Sequence, residues 1–261
     1  TDGIHYPTFS HWDTYRAAHP LFTLTNPDRV SDMANSLIGF GTQNGRLPVW
    51  SMWACDTDMM IGYHSVPVIV DAILKGFKGI DAGRALDICV QTARKRDYRS
   101  LGTYIDKGYV PTGVNDMGGN DDWSMSRTLE YAYDDWCIAA LADHLGRTDI
   151  AREFHARAKN YENLFNTDTG FLEPRQADGS FIPGFSPVAY GPHVCESNAW
   201  MYQWSVQHDI SGLCHLFGGK KKMGKMLNEF FTFTEEDASN RPLFSTGMIG
   251  QYAHGNEPSH H

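Results

Sequence analysis

The amino-acid sequence predicts an all-α fold in which pairs of helices are joined by long loops. Apolar residues recur every three or four positions over most of the 261 residues, which is the period of an amphipathic helix. Residues 102–123, 167–192 and 233–258 form long polar stretches rich in aromatic residues, glycine and proline. Loops of this length in a compact domain usually serve a function. We therefore expect an α/α toroid, whose helix ends present loops to a central pocket, with an irregular all-α domain as the alternative.

Capping signals and apolar spacing define the predicted helices. Asn26, Pro27 and Asp28 supply a cap, a first-turn proline and an early acid for a helix that we expect to end near Gly39 or Gly41. Asp81 is expected to cap a helix that runs to about residue 96. Further helices are predicted over residues 66–78, 124–145, 149–165, 198–206, 210–217 and 220–231. No change in composition along the chain separates two domains.

Two acidic pairs resemble paired catalytic carboxylates, but their positions favour structural roles. Asp121 and Asp122 precede the predicted helix 124–145 and are suited to capping it. Asp134 and Asp135 lie within that helix, where we expect them on its surface.

Composition restricts the class of ligand. The net charge is −9, and no basic block occurs beyond Lys220, Lys221 and Lys222, so a nucleic-acid partner is not expected. No apolar run approaches the roughly 20 residues of a membrane span. Aromatic residues make up 13% of the chain, which suits neutral polar ligands such as sugars. The five cysteines are scattered, and we expect buried free thiols.

Glu196 is the candidate general acid of a glycosidase. It stands between Cys195 and Ser197 at a predicted helix start, with Trp200 and Trp204 one and two turns further on. Glycoside hydrolysis requires two carboxyl groups, one of which must keep its proton, and a carboxyl beside indole rings tends to do so. The alternative is an ordinary acid in the first turn of a helix, stabilised by the helix dipole.

Residues 254–257 form a candidate metal site. They offer an imidazole, backbone carbonyls, an amide and a carboxylate before Pro258 fixes the turn. Oxygen ligands of this kind suit a hard cation such as Ca²⁺. The alternatives are a polar surface turn and a zinc site formed by His254, His260 and His261.

Five segments carry a resemblance to a known family. They are FSHWDTYRAAHPL (residues 9–21), MIGYHSVPVIVDA (60–72), SRTLEYAYDDWCIAALADHLG (126–146), ESNAWMYQW (196–204) and GQYAHGNEPSHH (250–261). In this combination and order they are similar to the glycoside hydrolase family 92 α-mannosidases. The fold that the resemblance implies is an (α/α)6-type toroid packed against an N-terminal β-sandwich.

The same resemblance implies a Ca²⁺-dependent, inverting exo-α-mannosidase that removes terminal α-linked mannose from glycans. Glu196 falls on the general acid of the family, although this chain has Ser197 where glycine is usual and Met201 where glutamine is frequent. The Ca²⁺ ligands fall on the Asn256 carbonyl and the Glu257 carboxylate.

Substrate contacts are implied at the terminal mannose site. Trp12 and Asp13 of the WDT segment are the leading candidates, followed by His254 and then by Asp58 and His64. These residues would bind mannose-containing glycans.

The resemblance also sets expectations about domains and location. We expect residues 1–261 to form part of one α/α-toroid catalytic domain, with the β-sandwich, the C-terminal end of the toroid and the general base absent from this chain. Family members act on glycans outside the cytoplasm, which implies a secreted, periplasmic or cell-surface protein. Two other functions stay open: another α/α-toroid glycosidase of the glucosidase or trehalase type, and a non-catalytic glycan-binding protein or inactive fragment.

Overall fold

The computed structural model describes residues 4–6, 8–53, 55–116, 121–235 and 241–260. Over these residues the protein is mostly helical and its strands are only two residues long, which confirms the predicted all-α class. No helix within the described ranges combines the length and the apolar character needed to cross a membrane. The chain divides into two compact units, Thr1–Gly102 with Tyr131–Ala158, and Thr103–Glu130 with Lys159–His261.

The helices and strands follow in chain order. The α-helices of the described residues are α1 (His11–Thr14), α2 (Ala18–Thr25), α3 (Pro27–Asn44), α4 (Ser65–Leu74), α5 (Ala82–Ala93), α6 (Leu101–Lys107), α7 (Ser124–His144), α8 (Thr148–Arg157), α9 (Ala199–Tyr202), α10 (Ile210–Leu216) and α11 (Lys220–Thr232). Three antiparallel hairpins pair β1 (Ser51–Met52) with β2 (Cys55–Asp56), β3 (Phe165–Asn166) with β4 (Phe171–Leu172), and β5 (Met248–Ile249) with β6 (Tyr252–Ala253). Two 3-10 helices span Asn160–Leu164 and Glu257–His260.

Each predicted helix is present, but several boundaries differ. Helix α3 continues past Gly39 and Gly41 to Gly45, which ends it with a left-handed φ of 77°. Gly41 is retained inside the helix because a Cβ there would lie 2.7 Å from Ile88 of α5. Helix α9 has only four residues. Helices α1, α2 and α6 were not predicted.

The first unit has its core among four helices. Helices α2, α3, α4 and α5 pack against one another, and α4 is buried on nearly every side. Helix α5 begins at the predicted cap, where the Asp81 carboxylate accepts a hydrogen bond of 3.0 Å from the backbone N–H of Arg84.

Asp134 and Asp135 are buried, so their predicted position on the surface of α7 is wrong. Asp134 accepts hydrogen bonds from the backbone N–H of Tyr63 (2.7 Å) and from Nδ1 of His64 (2.8 Å). Asp135 accepts from the Tyr63 hydroxyl (2.5 Å) and from Nε of Arg157 (2.9 Å). Both carboxylates therefore have the expected structural role, but as the buried hydrogen-bond acceptors of the first unit.

The second unit combines short helices with two of the hairpins. Helix α10 is capped by the Asp209 carboxylate, which accepts from the backbone N–H of Gly212 at 2.9 Å, and it packs against α11. The turn of the β5–β6 hairpin lies close to the end of α11. A Cβ at Gly250 would be 2.4 Å from the carbonyl carbon of Phe231, so this approach requires glycine.

The cysteines are free thiols, as predicted, but they are not all buried. Cys89, Cys137 and Cys195 are buried, Cys214 is half-buried and Cys55 is exposed.

Removal of the Asp135 carboxylate is expected to destabilise the protein strongly. In the Asp135→Ala variant the Arg157 guanidinium stays buried and loses its buried carboxylate partner, although Glu153 stays 3.8 Å away. The loss of such a buried partner typically costs about 3–5 kcal/mol of unfolding free energy. The matched control is Asp143→Ala on the same helix, where the Asp143–His155 pair is half exposed and should contribute less than about 1 kcal/mol. Urea denaturation followed by circular dichroism measures both values, and equal losses would contradict the assigned role of Asp135.

Candidate active site

The candidate acid Glu196 lies in a strained turn just before a helix. Its φ is 53°, the left-handed region that residues other than glycine rarely adopt. Helix α9 begins three residues later and is capped by Asn198, whose side chain accepts from the backbone N–H of Met201 at 3.2 Å. Glu196 is therefore not a first-turn acid of that helix. Non-glycine residues in this conformation persist where the surroundings hold them, commonly at functional sites.

Two hydrogen bonds join the turn at Glu196 to the segment that carries the predicted metal ligands. The side-chain N–H of Asn256 donates to the backbone carbonyl of Glu196 at 2.6 Å. The side-chain N–H of Asn198 donates to Oε1 of Gln251 at 3.0 Å, and Gln251 in turn donates to the Glu235 carbonyl at 2.7 Å. The structure thus brings Glu196, Asn256 and, by chain continuity, Glu257 into one site.

The other side of the turn is held by the start of α7. The backbone N–H of Cys195 donates to the Ser126 hydroxyl at 2.9 Å. Asp122 accepts from the backbone N–H of Ser124 at 2.9 Å, as predicted for a cap, and from Nδ1 of His193 at 3.0 Å. Burial alone would raise the pKa of Asp122, but the bond from His193 and the backbone N–H groups outweigh it and lower that pKa.

The two tryptophans that follow Glu196 pack within the second unit. The Trp200 ring lies edge-on to Phe171, with centroids 4.9 Å apart, and tilted against Phe233 at 5.5 Å. Trp204 lies edge-on to Phe217 at 5.7 Å. These indole rings therefore build the aromatic core around α9.

The predicted metal ligands lie at the start of a 3-10 helix. Asn256 is only 2% exposed, and its backbone carbonyl accepts from the N–H of Ser259 at 3.1 Å, which closes the first turn. Oε2 of Glu257 is buried. His254 precedes this turn and is exposed, with Nδ1 lying 3.1 Å from the Tyr252 hydroxyl.

These donors fit a hard cation. The Asn256 carbonyl and the Glu257 carboxylate supply oxygen atoms of the kind that Ca²⁺ prefers, and the Asn256 side chain is fixed by its bond to Glu196. Among the residues that the structure describes, no three His, Cys, Asp or Glu side chains are grouped to hold a metal ion. Ca²⁺ takes six to eight oxygen ligands, so water and a substrate would have to complete the shell. His261 and the side chain of His260, which the zinc alternative requires, lie outside the described residues.

In the first unit, Trp12 and Asp13 lie on α1. Trp12 is 2% exposed, and the Arg16 guanidinium lies 4.6 Å from the centre of its ring. Asp13 is half-buried. The backbone N–H of His11 donates to the Val49 carbonyl at 3.0 Å, which attaches α1 to the segment leading into the β1–β2 hairpin.

Asp58 follows that hairpin and is held by two side chains. Nη2 of Arg46 lies 2.5 Å from its carboxylate and the Tyr98 hydroxyl donates to it at 2.8 Å, while the side chain stays 42% exposed. Arg46 also bonds Asp56 at 2.5 Å. Burial would raise the pKa of Asp56, but hydrogen bonds from backbone N–H groups and Arg46 lower it, so this carboxylate is a fixed anion beneath the hairpin.

His64 is fully buried and Trp12 nearly so, unlike the predicted substrate contacts Asp13, Asp58 and His254. Its ring stacks on Tyr15 with centroids 4.0 Å apart, and its Nδ1 donates to Asp134. A Cβ at Gly62, where φ is 77°, would lie 2.3 Å from Nε2 of His64. The ring therefore fills the core of the first unit and supports its neighbours.

The family model described as Glycosyl hydrolase family 92 catalytic domain matches residues 1–261. The chain belongs to glycosyl hydrolase family 92. Because the match covers all 261 residues, both units come from the family 92 catalytic domain.

Two solved structures of family 92 proteins are similar to this chain over nearly its whole length. The family GH92 α-mannosidase BT3965 from Bacteroides thetaiotaomicron is 38% identical with a TM-score of 0.89, and the match covers 99% of this chain and 34% of that one. The GH92 inverting mannosidase BT2199 from Bacteroides thetaiotaomicron VPI-5482 is 34% identical with a TM-score of 0.85, covering 98% and 36%. These matches confirm the predicted fold class, all-α of the (α/α)6-toroid type.

A curated relative is more distant. The "Uncharacterized secreted glycosidase" of Arthroderma benhamiae is 27% identical over 272 residues, covering 92% of this chain and 35% of that protein. The present chain therefore spans about a third of the length of these three relatives.

The hydrogen bond from Asn256 to the Glu196 turn is open to a direct test. An Asn256→Asp variant replaces the donating N–H by a carboxylate oxygen, which repels the Glu196 carbonyl, so we expect faster amide hydrogen exchange at residues 195–198 and about 1–3 kcal/mol lower unfolding free energy. The matched control is Asn163→Asp, which removes an exposed 3.0 Å bond to the Gly108 carbonyl. Unchanged exchange at residues 195–198 in the Asn256 variant would show that this bond does not hold the turn.

Proposed function

We propose that this chain forms part of the catalytic domain of a Ca²⁺-dependent, inverting exo-α-mannosidase that hydrolyses terminal α-linked mannose from glycans. The observation that carries the proposal is the hydrogen bond by which Asn256 joins the candidate Ca²⁺ ligands to the strained turn at Glu196. Two family relatives support the reaction class. BT3965 is named an α-mannosidase and has been solved with mannoimidazole, and BT2199 is named an inverting mannosidase.

In the proposed reaction Glu196 acts as the general acid. Its proton passes to the glycosidic oxygen as the bond to the anomeric carbon breaks, while a second carboxylate takes a proton from the attacking water on the opposite face of the sugar. The hydrogen bond that Asn256 donates to the Glu196 carbonyl and the one that Ser126 accepts from the Cys195 N–H hold the backbone on either side of the turn. A fixed backbone keeps the carboxyl at the position that proton transfer requires.

The Asn256 carbonyl and the Glu257 carboxylate are the residues that we propose hold Ca²⁺. When bound, the cation would bind hydroxyl oxygens of the terminal mannose and would favour a distorted sugar ring. The 3-10 turn closed by Ser259 sets the Asn256 backbone, and the bond to Glu196 sets its side chain. A loss of the cation is therefore expected to disturb substrate orientation first.

We further propose that Asp13 accepts hydrogen bonds from sugar hydroxyls and that Trp12, which is only 2% exposed, contacts the same sugar. Asp58 of the same unit exposes a carboxylate suited to the same task. His64, buried beneath Tyr15, would act by supporting this part of the first unit. In the second unit, His254 is exposed and suited to hydrogen bonds with sugar hydroxyls. We propose a secreted, periplasmic or cell-surface location, which the name of the Arthroderma relative supports.

The Glu196→Gln variant of the intact enzyme tests the assigned acid. An amide cannot supply the proton, so hydrolysis of a mannobiose, which has a poor leaving group, should fall by roughly 10²–10⁴-fold. An aryl mannoside with a very acidic phenol needs little protonation and should lose far less. Initial rates on the two substrates, compared in the same protein, measure the difference.

The control for this variant is Glu229→Gln on α11, where the carboxylate pairs with exposed Lys225. Its rates should match those of the unaltered protein. Equal losses on both substrates in Glu196→Gln would remove Glu196 as the acid. Hydrolysis of α-glucosides in preference to α-mannosides would instead favour another toroid glycosidase.

Removal of calcium tests the metal site. Excess chelator should abolish turnover, added Ca²⁺ should restore it, and Glu257→Gln should weaken Ca²⁺ binding about tenfold or more because it removes a charged ligand. Titration calorimetry of Ca²⁺ with this variant and with Glu162→Gln, an exposed glutamate of the same unit, separates a ligand from a general charge effect. Full activity in excess chelator would refute the role of calcium.

A further inference from the structure

Trp53 occupies an unusual position at the turn of the β1–β2 hairpin. The side chain is 89% exposed and the backbone φ is 57°. A bulky residue rarely adopts this left-handed backbone conformation, and the exposure of a large apolar ring to water is unfavourable. Asparagine or glycine would relieve both features in a two-residue turn. Such a combination is expected where the exposed side chain itself has a function.

The hairpin that presents Trp53 is firmly held at its base. The Asp56 carboxylate accepts from the backbone N–H groups of Val49 and Trp50, each at 3.0 Å, and from Arg46 at 2.5 Å. The charge on Asp56 is thus satisfied on several sides at once. The indole is therefore displayed from a fixed frame, which limits the entropy lost when a ligand binds to it.

The hairpin is attached to the elements that carry proposed substrate contacts. A backbone bridge pairs Trp50 with Ser10, which immediately precedes α1 and Asp13. Trp53 follows Trp50 by three residues, so at about 3.3 Å per residue it lies within roughly 10 Å of that bridge. Asp58, with an exposed carboxylate, follows the other strand of the same hairpin.

We propose that the Trp53 indole is a carbohydrate contact for the sugar next along the glycan from the one that Asp13, in the same unit, binds. This proposal rests on the mannosidase function proposed above. An indole face packs on the apolar C–H face of a pyranose, and the nearby Asp58 carboxylate can accept hydrogen bonds from its hydroxyls. The net charge of −9 favours a neutral glycan over an anionic polymer.

The test compares a long and a short substrate of the same reaction. With Trp53→Asn, which suits the left-handed turn, KM for a mannotriose should rise about tenfold, because one aromatic contact is lost. The kinetic constants for methyl α-mannoside, which has no second sugar, should stay within twofold. Trp53→Tyr keeps a ring and should retain most of the affinity for the trisaccharide.

The control and a binding measurement make the outcome decisive. Leu24→Ala removes another exposed apolar side chain of the first unit, on α2, and should leave the kinetic constants for both substrates unchanged. In a Glu196→Gln background, which leaves the glycan intact, mannotriose should shield Trp53 from acrylamide quenching. Equal effects on both substrates, or none, would overturn the proposal.

Other occupants of this surface give different results. A Trp53 that resists quenching without glycan is covered by protein, and a Trp53→Asn variant that dissociates an oligomer marks a contact between copies; either result overturns the proposal. If the intact enzyme that contains this chain hydrolyses no mannoside, the proposed function fails, but calorimetric binding of mannotriose that depends on Trp53 still supports the sugar contact. If hydrolysis is normal and Trp53→Asn has no effect, only the Trp53 contact fails.

Discussion

Water reaches little of helix α7, so the polar side chains on this helix must form their hydrogen bonds inside the protein. Towards its start, Ser126 receives the backbone N–H of Cys195, and Glu130 accepts from the hydroxyl of Tyr202 at 2.7 Å. Further along, Asp134 and Asp135 accept from residues around position 63. An unpaired buried polar group is costly, so each of these bonds fixes a segment remote in sequence. The conformation of the segments that contact α7 therefore depends on these hydrogen bonds.

Two such hydrogen bonds hold the turn at Glu196, one on each side of it. Ser126 holds the residue before it, and Asn256 holds its carbonyl from a segment 60 residues away. Neither of these two bonds involves the side-chain carboxyl of Glu196 or Glu257. Backbone and amide groups therefore position this turn.

The sequence predicted the helices better than their surroundings. Regular apolar spacing and the local caps at Asp81 and Asp122 depend on neighbours in the chain, and these predictions were confirmed. The Asn26 side chain, by contrast, makes no cap hydrogen bond at the start of α3. The burial of Asp134 was missed because periodicity does not reveal how many faces of a helix are covered. The candidate residues Glu196 and Asn256 were named from sequence, but the bond between them depends on tertiary folding, and no local pattern encodes it.

The left-handed backbone at Glu196 also has an evolutionary consequence. Glycine would adopt a φ of 53° without strain, so exchange to glycine at this position should make the folded chain more stable. At position 196, stability therefore favours glycine, whereas the proposed proton transfer requires glutamate. A screen that rewards only heat resistance would select glycine there, and the selected proteins would be stable but would lack the proposed acid. Thermostabilisation of this chain is best started with position 196 held constant.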